Sequence, residues 1–151
     1  MVLETGAPVP PVTATNQDGE RTTVEFAVPT VLYFYPRDDT PGCATEARGF
    51  DAELDAYREA GVRVYGVSTD DADSHRAFAE KHDLGFDLLA DPDGKVADAF
   101  GVDTTDGAPR RTTFVCAGGQ VCGVYENVRP DGHARDVLRD MLAVDLVSLG
   151  E

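Results

Sequence analysis

The sequence has 151 residues, of which 28 are acidic and 13 are basic, and its formal net charge at pH 7 is −15. Such an acidic chain lacks the basic face that binds phosphates, so we expect no nucleic-acid partner. A hydrophobic content of 42% argues against disorder, and no apolar run is long enough to cross a membrane. The length predicts a single domain spanning residues 1–151.

Lysine is scarce, because Lys81 and Lys95 are the only lysines and the other basic residues are arginines. This composition fits either an ordinary acidic cytosolic protein or adaptation to molar salt, where the Debye length falls to about 3 Å and self-repulsion is screened. We favour the salt-adapted, halophilic interpretation. The N-terminus shows no basic segment followed by a continuous apolar stretch, so we expect a cytoplasmic location.

In chain order, segments with strand patterns alternate with segments of helical periodicity. Strands are predicted at Val12–Thr15, Thr22–Val24, Thr30–Tyr35, Val62–Val67, Phe86–Ala90, Thr112–Cys116 and Gln120–Tyr125. Helices are predicted at Cys43–Ala60, at Asp73–Asp83 with Asp73 as the cap, at Lys95–Phe100, and from near Asp131 onwards. The order predicts an α/β fold with an N-terminal β-hairpin, two parallel neighbouring strands in a central sheet, covering helices and a closing hairpin.

One apolar strand runs directly into the polar segment YFYPRDDTPGC, which ends in a lone cysteine at position 43. Thr40 is a favoured helix N-cap, and Pro41 fits the first helical position, where its missing N–H costs nothing. Cys43 then lies in the first turn, where free backbone N–H groups and the positive end of the helix dipole stabilise a reactive thiolate. We therefore interpret Cys43 as an activated nucleophile, the alternative being a small apolar filler.

Charged residues around this cysteine bear on that interpretation. Asp38 and Asp39 would oppose a thiolate if their carboxylates approached it, so we expect both to point to solvent. Arg110 and Arg111 open a predicted strand from which one guanidinium could reach the site, the alternative being two solvated strand-end arginines. Glu46, one helical turn after the cysteine, could orient Arg111 through a carboxylate–guanidinium pair, the alternative being a surface position.

Several blocks of the sequence resemble one known family. The spacing Pro36-x-x-x-Thr40-x-x-Cys43 is similar to the active-site motif of the peroxiredoxins, and the run FYPRDDTPGCATEARGF resembles their bacterioferritin-comigratory-protein (PrxQ) branch. The resemblance continues through YGVSTDDADSHRAFAEKHDLGFDLLADPDGKVADAFGV and RRTTFV, and it covers nearly the whole chain. A lone Thr-x-x-Cys would be a weak signal, but several such blocks in the right order make a strong one.

This resemblance implies a thioredoxin-like fold, with a central mixed sheet flanked by helices, and a thiol-dependent peroxidase without cofactor or metal. It implies that Cys43 is the peroxidatic cysteine, that Thr40 hydrogen-bonds the thiolate and the peroxide, and that Pro36 shields the nucleophile. Arg111 matches the family's activating arginine better than the arginine before it, because Arg111 directly precedes Thr-Thr-Phe. The backbone N–H groups of Gly42 and Cys43 would join Thr40 and Arg111 in holding the peroxide oxygens.

The sequence departs from this branch in its resolving cysteine. Many members carry one five residues after the first, where this chain has Arg48, and another group places it in the following helix, Asp73–Asp83, which contains none. Cys116 and Cys122 remain as candidate resolving residues that would face each other across a three-residue hairpin loop, although buried strand positions are the plainer interpretation. We favour a one-cysteine cycle, in which a thioredoxin-like protein, a glutaredoxin-like protein or a small thiol reduces the Cys43 sulfenic acid.

The remaining polar candidates are interpreted as structural. His75 falls early in a helix with no nucleophile or carboxylate clearly arranged beside it, and His82 and His133 are interpreted as solvated helix residues. The acidic run at Asp70–Asp73 lacks the oxygen-ligand spacing of a calcium loop, so a metal site is not expected.

Two other functions stay open at this level. A thioredoxin-fold disulfide oxidoreductase is one, but position 40 holds Thr where Cys-x-x-C would need a second cysteine. The other is a non-enzymatic sensor that passes oxidation to a partner protein through a mixed disulfide. The peroxidase interpretation implies hydrogen peroxide and alkyl hydroperoxides as substrates, and a role in antioxidant defence. The branch is often monomeric, so a monomer is expected.

Overall fold

A computed structural model of the chain describes residues 2–104 and 107–143. Its strands are β1 Val12–Thr15, β2 Arg21–Val24, β3 Thr30–Phe34, β4 Arg63–Ser68, β5 Asp87–Ala90, β6 Thr112–Ala117 and β7 Gln120–Tyr125. Its helices are α1 Pro41–Ala52, α2 Leu54–Glu59, α3 Ala72–His82, α4 Lys95–Phe100 and α5 His133–Ala143. Among the helices of the described residues, none has the length and apolar character that a membrane span requires.

Within the described part of the chain, the strands form one 7-stranded mixed sheet in the order β2-β1-β5-β4-β3-β6-β7. Strand β3 runs parallel to β4 and antiparallel to β6, and the pairs β1–β2 and β6–β7 are antiparallel hairpins. The predicted N-terminal hairpin, parallel neighbours and closing hairpin are therefore confirmed. Because α1 follows β3, its first turn lies beyond the C-terminal end of that strand, where open α/β sheets bind ligands.

Successive side chains of β3, and of the residue after it, point to opposite faces of the sheet, so they belong to two different apolar cores. Val31, Tyr33 and Tyr35 pack on one face against residues of α1, α2, α3 and α5. Leu32 and Phe34 pack on the other face against α4 and the N-terminal hairpin. All of these side chains are buried, so β3 is covered on both faces, which explains its continuous apolar sequence.

Two predicted helix features are wrong. The helix predicted as Cys43–Ala60 is interrupted at Glu53, whose φ of −97° and ψ of 4° leave the α-helical region and separate α1 from α2. The cap of α3 is Asp71 rather than Asp73, because Asp71 has the extended backbone of a cap and its side chain accepts the N–H of Ser74 at 2.8 Å. Asp73 lies inside the first turn of α3, where a residue has helical backbone angles and cannot act as the cap.

The residues before β1 cover part of one edge of the sheet. Strand β7 is an edge strand in the sheet order. The N–H of Gly6 donates to the carbonyl of Val121 at 2.7 Å, and the N–H of Val121 donates to the carbonyl of Ala7 at 2.9 Å. The N–H of Val9 also donates to the carbonyl of Gly119 at 2.9 Å. The start of β7 therefore has backbone partners on both sides.

Candidate active site

The residues between β3 and α1 deliver Cys43 to the first turn of a helix. Thr40 has the extended backbone of an N-cap, with φ −94° and ψ 152°, and Pro41 follows it at the start of α1. The Thr40 hydroxyl donates to the carbonyl oxygen of Arg37 at 3.1 Å and does not cap the helix. The first N–H groups of a helix have no partner inside it, so those of Gly42 and Cys43, which lie in the first turn of α1, can bind an anion or a polar ligand.

A guanidinium contacts the Cys43 sulfur. Arg111 Nη2 lies 3.4 Å from Cys43 Sγ, while Nη1 donates to Glu46 Oε1 at 2.7 Å. The predicted pair between Glu46 and Arg111 is therefore confirmed, and it holds one arm of the guanidinium fork so that the other arm faces the sulfur. The neighbouring Arg110 is exposed and pairs with Asp103 at 3.2 Å.

Glu46 is a buried carboxylate with one of its oxygens unpaired. Its Oε2 has no hydrogen-bond partner among the described residues. Burial raises the pKa of Glu46 to about 7, although the charge and hydrogen bond of Arg111 act to lower it. Burial would lower the pKa of Arg111, but the charges of Glu46 and Cys43 raise it above its ordinary value. A permanently protonated guanidinium thus lies beside the sulfur.

Gly42 leaves the space that this guanidinium occupies. A Cβ at position 42 would lie 3.1 Å from Arg111 Nη2 and 3.5 Å from Pro130 Cγ. Pro130 belongs to the segment between β7 and α5, and the same segment binds Arg111 through the Val128 N–H, which donates to the Arg111 carbonyl at 3.2 Å. No sequence pattern indicated that this segment lies over the start of α1.

The expectation that Asp38 points to solvent is wrong, because its side chain is buried. Its Oδ1 accepts the hydroxyl of Tyr35 at 2.6 Å, and its Oδ2 accepts the hydroxyl of Ser74 at 2.8 Å. Oδ2 also lies 2.7 Å from His75 Nδ1. A sequence motif shows neither the histidine nor the serine as a neighbour, since both belong to α3.

Pro36 and Asp39 lie in the same loop as Asp38 but are not fully buried. Pro36, two residues after the end of β3, is half-buried. Asp39 is exposed, as predicted, and pairs with Lys81 near the end of α3 at 2.7 Å. Its φ of 59° is in the left-handed region, which Asp tolerates better than most residues.

Two of the histidines differ from their predicted solvated positions. His133 is buried, and its Nε2 lies 2.8 Å from Thr113 Oγ1. Burial lowers the pKa of His133 to about 4, with Asp136 acting to raise it and Arg111 to lower it further. The ring of His82 packs against that of Phe78, with 5.1 Å between the ring centroids. Its Nε2 is buried and has no hydrogen-bond partner among the described residues. The His133 ring therefore lies in the interior, whereas His82 is half-buried and packs one side of its ring on Phe78.

Cys116 lies far from Cys43. It pairs with Thr30 at the N-terminal end of β3, whereas Cys43 follows the C-terminal end of the same strand. At roughly 3.3 Å per residue, the two ends of β3 are about 13 Å apart. Cys116 also belongs to the core on the opposite face of the sheet. A disulfide needs Cα atoms within about 7 Å, so this sheet keeps the pair apart.

The predicted arrangement of Cys116 opposite Cys122 is wrong. The loop of the β6–β7 hairpin has two residues, Gly118 and Gly119, so Cys116 pairs with Val121. A β-bulge follows that pair, because Val115 pairs with Gly123 and Cys122 is the extra residue between the two partners. Cys116 is buried in its strand, as the plainer interpretation predicts, but for Cys122 that interpretation is wrong, because Cys122 is exposed on the edge strand β7. Since Cys122 follows the residue paired with Cys116, it also lies near the end of β3 that is remote from Cys43.

Asp38, Asp70 and His75 bring potential metal-ligand atoms within 4.8 Å of one another, a grouping found among the described residues. Both carboxylate oxygens of Asp38 and both ring nitrogens of His75 already have protein partners. Asp70 Oδ2 accepts the Asp38 N–H and the Ser68 hydroxyl, both at 2.7 Å. The donor set is thus engaged in tying segments of the chain together, and the absence of a metal site stays a prediction.

Comparison with known sequences gives one consistent set of matches. The profile of the AhpC/TSA family matches residues 5–121. Peroxiredoxin Q, chloroplastic, from Triticum aestivum is 40% identical over 140 residues, which cover 89% of this chain and 64% of the wheat protein. The putative peroxiredoxin bcp of Coxiella burnetii is 34% identical over 148 residues, which cover 91% of this chain and 98% of that protein.

Solved structures resemble this fold along nearly its whole length. Peroxidoxin BcpB from Mycobacterium tuberculosis superposes with a TM-score of 0.86 at 31% identity, covering 94% of this chain and 98% of that one. Peroxiredoxin Q from Xanthomonas campestris superposes with a TM-score of 0.81 at 35% identity, covering 87% and 90% of the two chains. The predicted thioredoxin-like α/β fold is confirmed by these similarities.

Proposed function

The chain belongs to the AhpC/TSA family, in its peroxiredoxin Q/bcp branch, and on that premise we propose that it is a thiol-dependent peroxidase with Cys43 as its nucleophile. The observation that carries the assignment is the 3.4 Å contact between Arg111 Nη2 and Cys43 Sγ in the first turn of α1. A cation and free N–H groups at one sulfur stabilise the thiolate, which is the reactive form.

The reaction follows from this arrangement. The Cys43 thiolate attacks one peroxide oxygen, an S–O bond forms, and the O–O bond breaks with its electron pair leaving on the distal oxygen. Arg111 and the N–H groups of Gly42 and Cys43 bind the oxygens and stabilise the developing charge. After protonation the leaving oxygen becomes water or an alcohol, and Cys43 becomes a sulfenic acid.

Thr40 and Pro36 complete the proposed site. The Thr40 hydroxyl now donates to the Arg37 carbonyl at 3.1 Å, and it engages the thiolate or the peroxide by turning that hydrogen toward them. Pro36 is half-buried at the start of the same loop and limits the access of water and bulk reductant. Cys43 itself is 1% exposed, so a small oxidant reaches it more readily than a protein thiol.

The proposed cycle uses one cysteine of the chain. Cys116 and Cys122 lie toward the other end of the sheet, so neither forms a disulfide with Cys43 without large unfolding. An external thiol therefore attacks the sulfenic acid, releases water and forms a mixed disulfide. A second thiol then displaces reduced Cys43. The reductant is a thioredoxin-like protein, a glutaredoxin-like protein or a small thiol.

The finer parts of the proposal follow the sequence. The substrates are hydrogen peroxide and alkyl hydroperoxides, and the role is antioxidant defence. We further propose a monomer acting in the cytoplasm, without a nucleic-acid or membrane partner. The excess of acidic residues and the scarcity of lysine support function in concentrated salt.

Intact mass after a brief pulse of hydrogen peroxide in high salt tests the assignment, with wild type and Cys43→Ser compared in the presence and absence of dimedone. We expect a dimedone adduct on wild type alone. A loss of two hydrogens with no adduct would show that another cysteine resolves the sulfenic acid, and no reaction at low peroxide would contradict the peroxidase. Negligible turnover with every reductant, together with one trapped client protein, would instead favour a sensor.

A further inference from the structure

Asp38 is the centre of a buried network that links the active-site loop, residues 36–40, to α3. The loop carries Pro36 and Thr40, on which the proposed mechanism depends. Each carboxylate oxygen of Asp38 has protein partners, with the Tyr35 hydroxyl on Oδ1 and with Ser74 and His75 on Oδ2. The Asp38 N–H also donates to Asp70 Oδ2 at 2.7 Å. The loop is therefore held at its midpoint by both its backbone and its side chain.

The hydrogen bonds of His75 fix the proton content of its pair with Asp38. His75 Nε2 lies 3.0 Å from the carbonyl oxygen of Leu89, which can only accept, so Nε2 carries a hydrogen. The 2.7 Å contact between Nδ1 and Asp38 Oδ2 then requires a second proton between those two atoms. The pair as a whole is neutral, which removes the cost of leaving an uncompensated charge in a buried position.

A second, exposed contact joins the same loop to the same helix. Asp39 pairs with Lys81 at 2.7 Å, but the two side chains are 56% and 59% exposed, compared with 4% and 0% for Asp38 and His75. Exposed pairs contribute little because water and salt screen them, whereas a buried hydrogen-bonded pair is costly to break. The buried contacts of Asp38 with His75 and Ser74 therefore determine where the loop lies, more than the exposed pair of Asp39 with Lys81 does.

We propose that His75 is a positioning residue of the peroxidase reaction, acting through Asp38 to hold the loop that carries Pro36 and Thr40 at the Cys43 sulfur. The proposal rests on the proposed function. In this proposal His75 places the loop. Loss of the His75 contact therefore slows the attack of Cys43 on a peroxide, but it does not make the Cys43 sulfur less accessible to other small reagents. A displacement of about 1 Å at a reacting group can cost on the order of a hundredfold in rate.

Two substitutions of similar size separate positioning from general stability. In His75→Asn the amide nitrogen is as many bonds from Cα as Nδ1, so it can donate to Asp38 while the bond to Leu89 is lost. In His75→Gln the amide nitrogen is as many bonds from Cα as Nε2, so it keeps Leu89 and loses Asp38. Each variant loses one buried hydrogen bond, but only the second loses the bond that joins His75 to the loop, and the contact of Ser74 with Asp38 is present in both.

The measurement is the ratio of two rates for Cys43: oxidation by hydrogen peroxide and alkylation by iodoacetamide, followed by mass spectrometry of the Cys43 peptide. Both are taken at a temperature where circular dichroism shows each variant folded. We expect His75→Gln to lower the ratio by about tenfold or more, and His75→Asn to lower it by less than about threefold. Asp39→Asn, which alters the exposed pair, should leave the ratio within about twofold.

An unchanged ratio in His75→Gln, or an equal fall in both variants, would overturn the positioning role. If neither variant folds, Asp38→Asn and Asp38→Ala replace them. The asparagine amide can donate to a neutral His75 Nδ1, so it should preserve the ratio within about threefold, whereas alanine should lose about tenfold, and equal losses would contradict the proposal. Failure of the proposed function looks different, because wild-type Cys43 would then resist oxidation by peroxide altogether.

Discussion

Cys43 and Cys116 are almost equally buried, at 1% and 0% exposure, yet their surroundings differ in kind. The Cys43 sulfur lies in a helix's first turn against the Arg111 guanidinium. Cys116 lies in an apolar core, where burial and then the neighbouring Cys122 raise its pKa to about 12. Such a thiol stays protonated and unreactive at neutral pH. Burial alone therefore does not distinguish the two sulfurs, whereas the guanidinium beside Cys43 does.

The largest change should come from making Cys43 resemble Cys116 by removing its cation. We expect Arg111→Ala to lower the second-order rate of Cys43 oxidation by hydrogen peroxide by about a hundredfold or more, because a preorganised donor to the developing charge is lost. Stopped-flow measurement of that rate checks this. The matched control is Arg110→Ala, which removes an exposed arginine paired with Asp103 and should stay within about twofold. Equal falls in the oxidation rate of the two variants would contradict a specific role for the guanidinium beside Cys43.

Displacing the cation instead of removing it should have an intermediate effect. In Gly42→Ala the new methyl group would lie 3.1 Å from Arg111 Nη2, so the guanidinium must give way by a few tenths of an ångström. Because that guanidinium contacts the Cys43 sulfur, we expect about a tenfold slower oxidation. Gly49→Ala is the control in the same helix, because its Cβ meets only Ala134 Cβ at 4.0 Å. That variant should keep the rate and gain about 0.5–1 kcal/mol in free energy of unfolding. A normal rate in Gly42→Ala would show that the guanidinium adapts.

The carboxylate that holds Arg111 beside Cys43 should make the stability of the protein depend on pH. Because Gln can still accept from Arg111, Glu46→Gln should change the oxidation rate by only about threefold. Its effect on stability depends on pH, since burial raises the pKa of Glu46 from 4.5 to about 7 in the folded state. The unfolded chain loses that proton at lower pH, so the wild type's free energy of unfolding falls relative to the variant as pH rises from about 4.5 to about 7.

Denaturant unfolding of both proteins at pH 4.5 and pH 8 in the same salt measures this difference. The pKa shift of Glu46 corresponds to a contribution of about 3 kcal/mol at most to the free energy of unfolding of the wild type. This contribution is present in full below about pH 4.5 and is lost above about pH 7. Curves that stay parallel across this range would mean that Glu46 is already ionised at low pH, held so by Arg111.

The smallest effect is expected at the other end of the sheet. Cys122→Ser and Cys116→Ala should leave the peroxide rate within about twofold and should leave the dimedone adduct of Cys43 intact, because neither sulfur lies near the site. The check is intact mass with dimedone, as for the wild type. A variant that accumulates more adduct than the wild type would identify its missing cysteine as a resolving residue.

Features set by local sequence could be predicted well. Strand β3, the start of α1 and the position of Cys43 in its first turn follow from the apolar run and from Thr40-Pro41. The pair between Glu46 and Arg111 was inferred from helical spacing together with the family motif, and the structure contains it. Each of these depends on a pattern within a few residues or on a known motif.

Features set by distant partners could not be predicted. Asp38 is charged and lies in a polar motif, so solvent was the natural expectation, but its partner His75 is 37 residues away. His133 finds Thr113 at a separation of 20 residues, and Pro130 meets the start of α1 from the other end of the chain. A polar side chain can be buried wherever the fold brings a hydrogen-bond partner to it, and a local sequence pattern does not show partners that are distant along the chain.

The pairing of residues 6–9 with β7 has a consequence for crowded solutions. An uncovered strand edge offers its N–H and C=O groups to any other chain, and this is a common route to aggregation. Mutual repulsion between copies with a net charge of −15 would normally keep such edges apart, but concentrated salt screens it within about 3 Å. In concentrated salt, resistance to aggregation therefore depends on whether the backbone groups of the strand edge are already covered by the protein itself. The N-terminal segment provides it at Gly119–Val121 by occupying backbone groups that a second molecule would otherwise use.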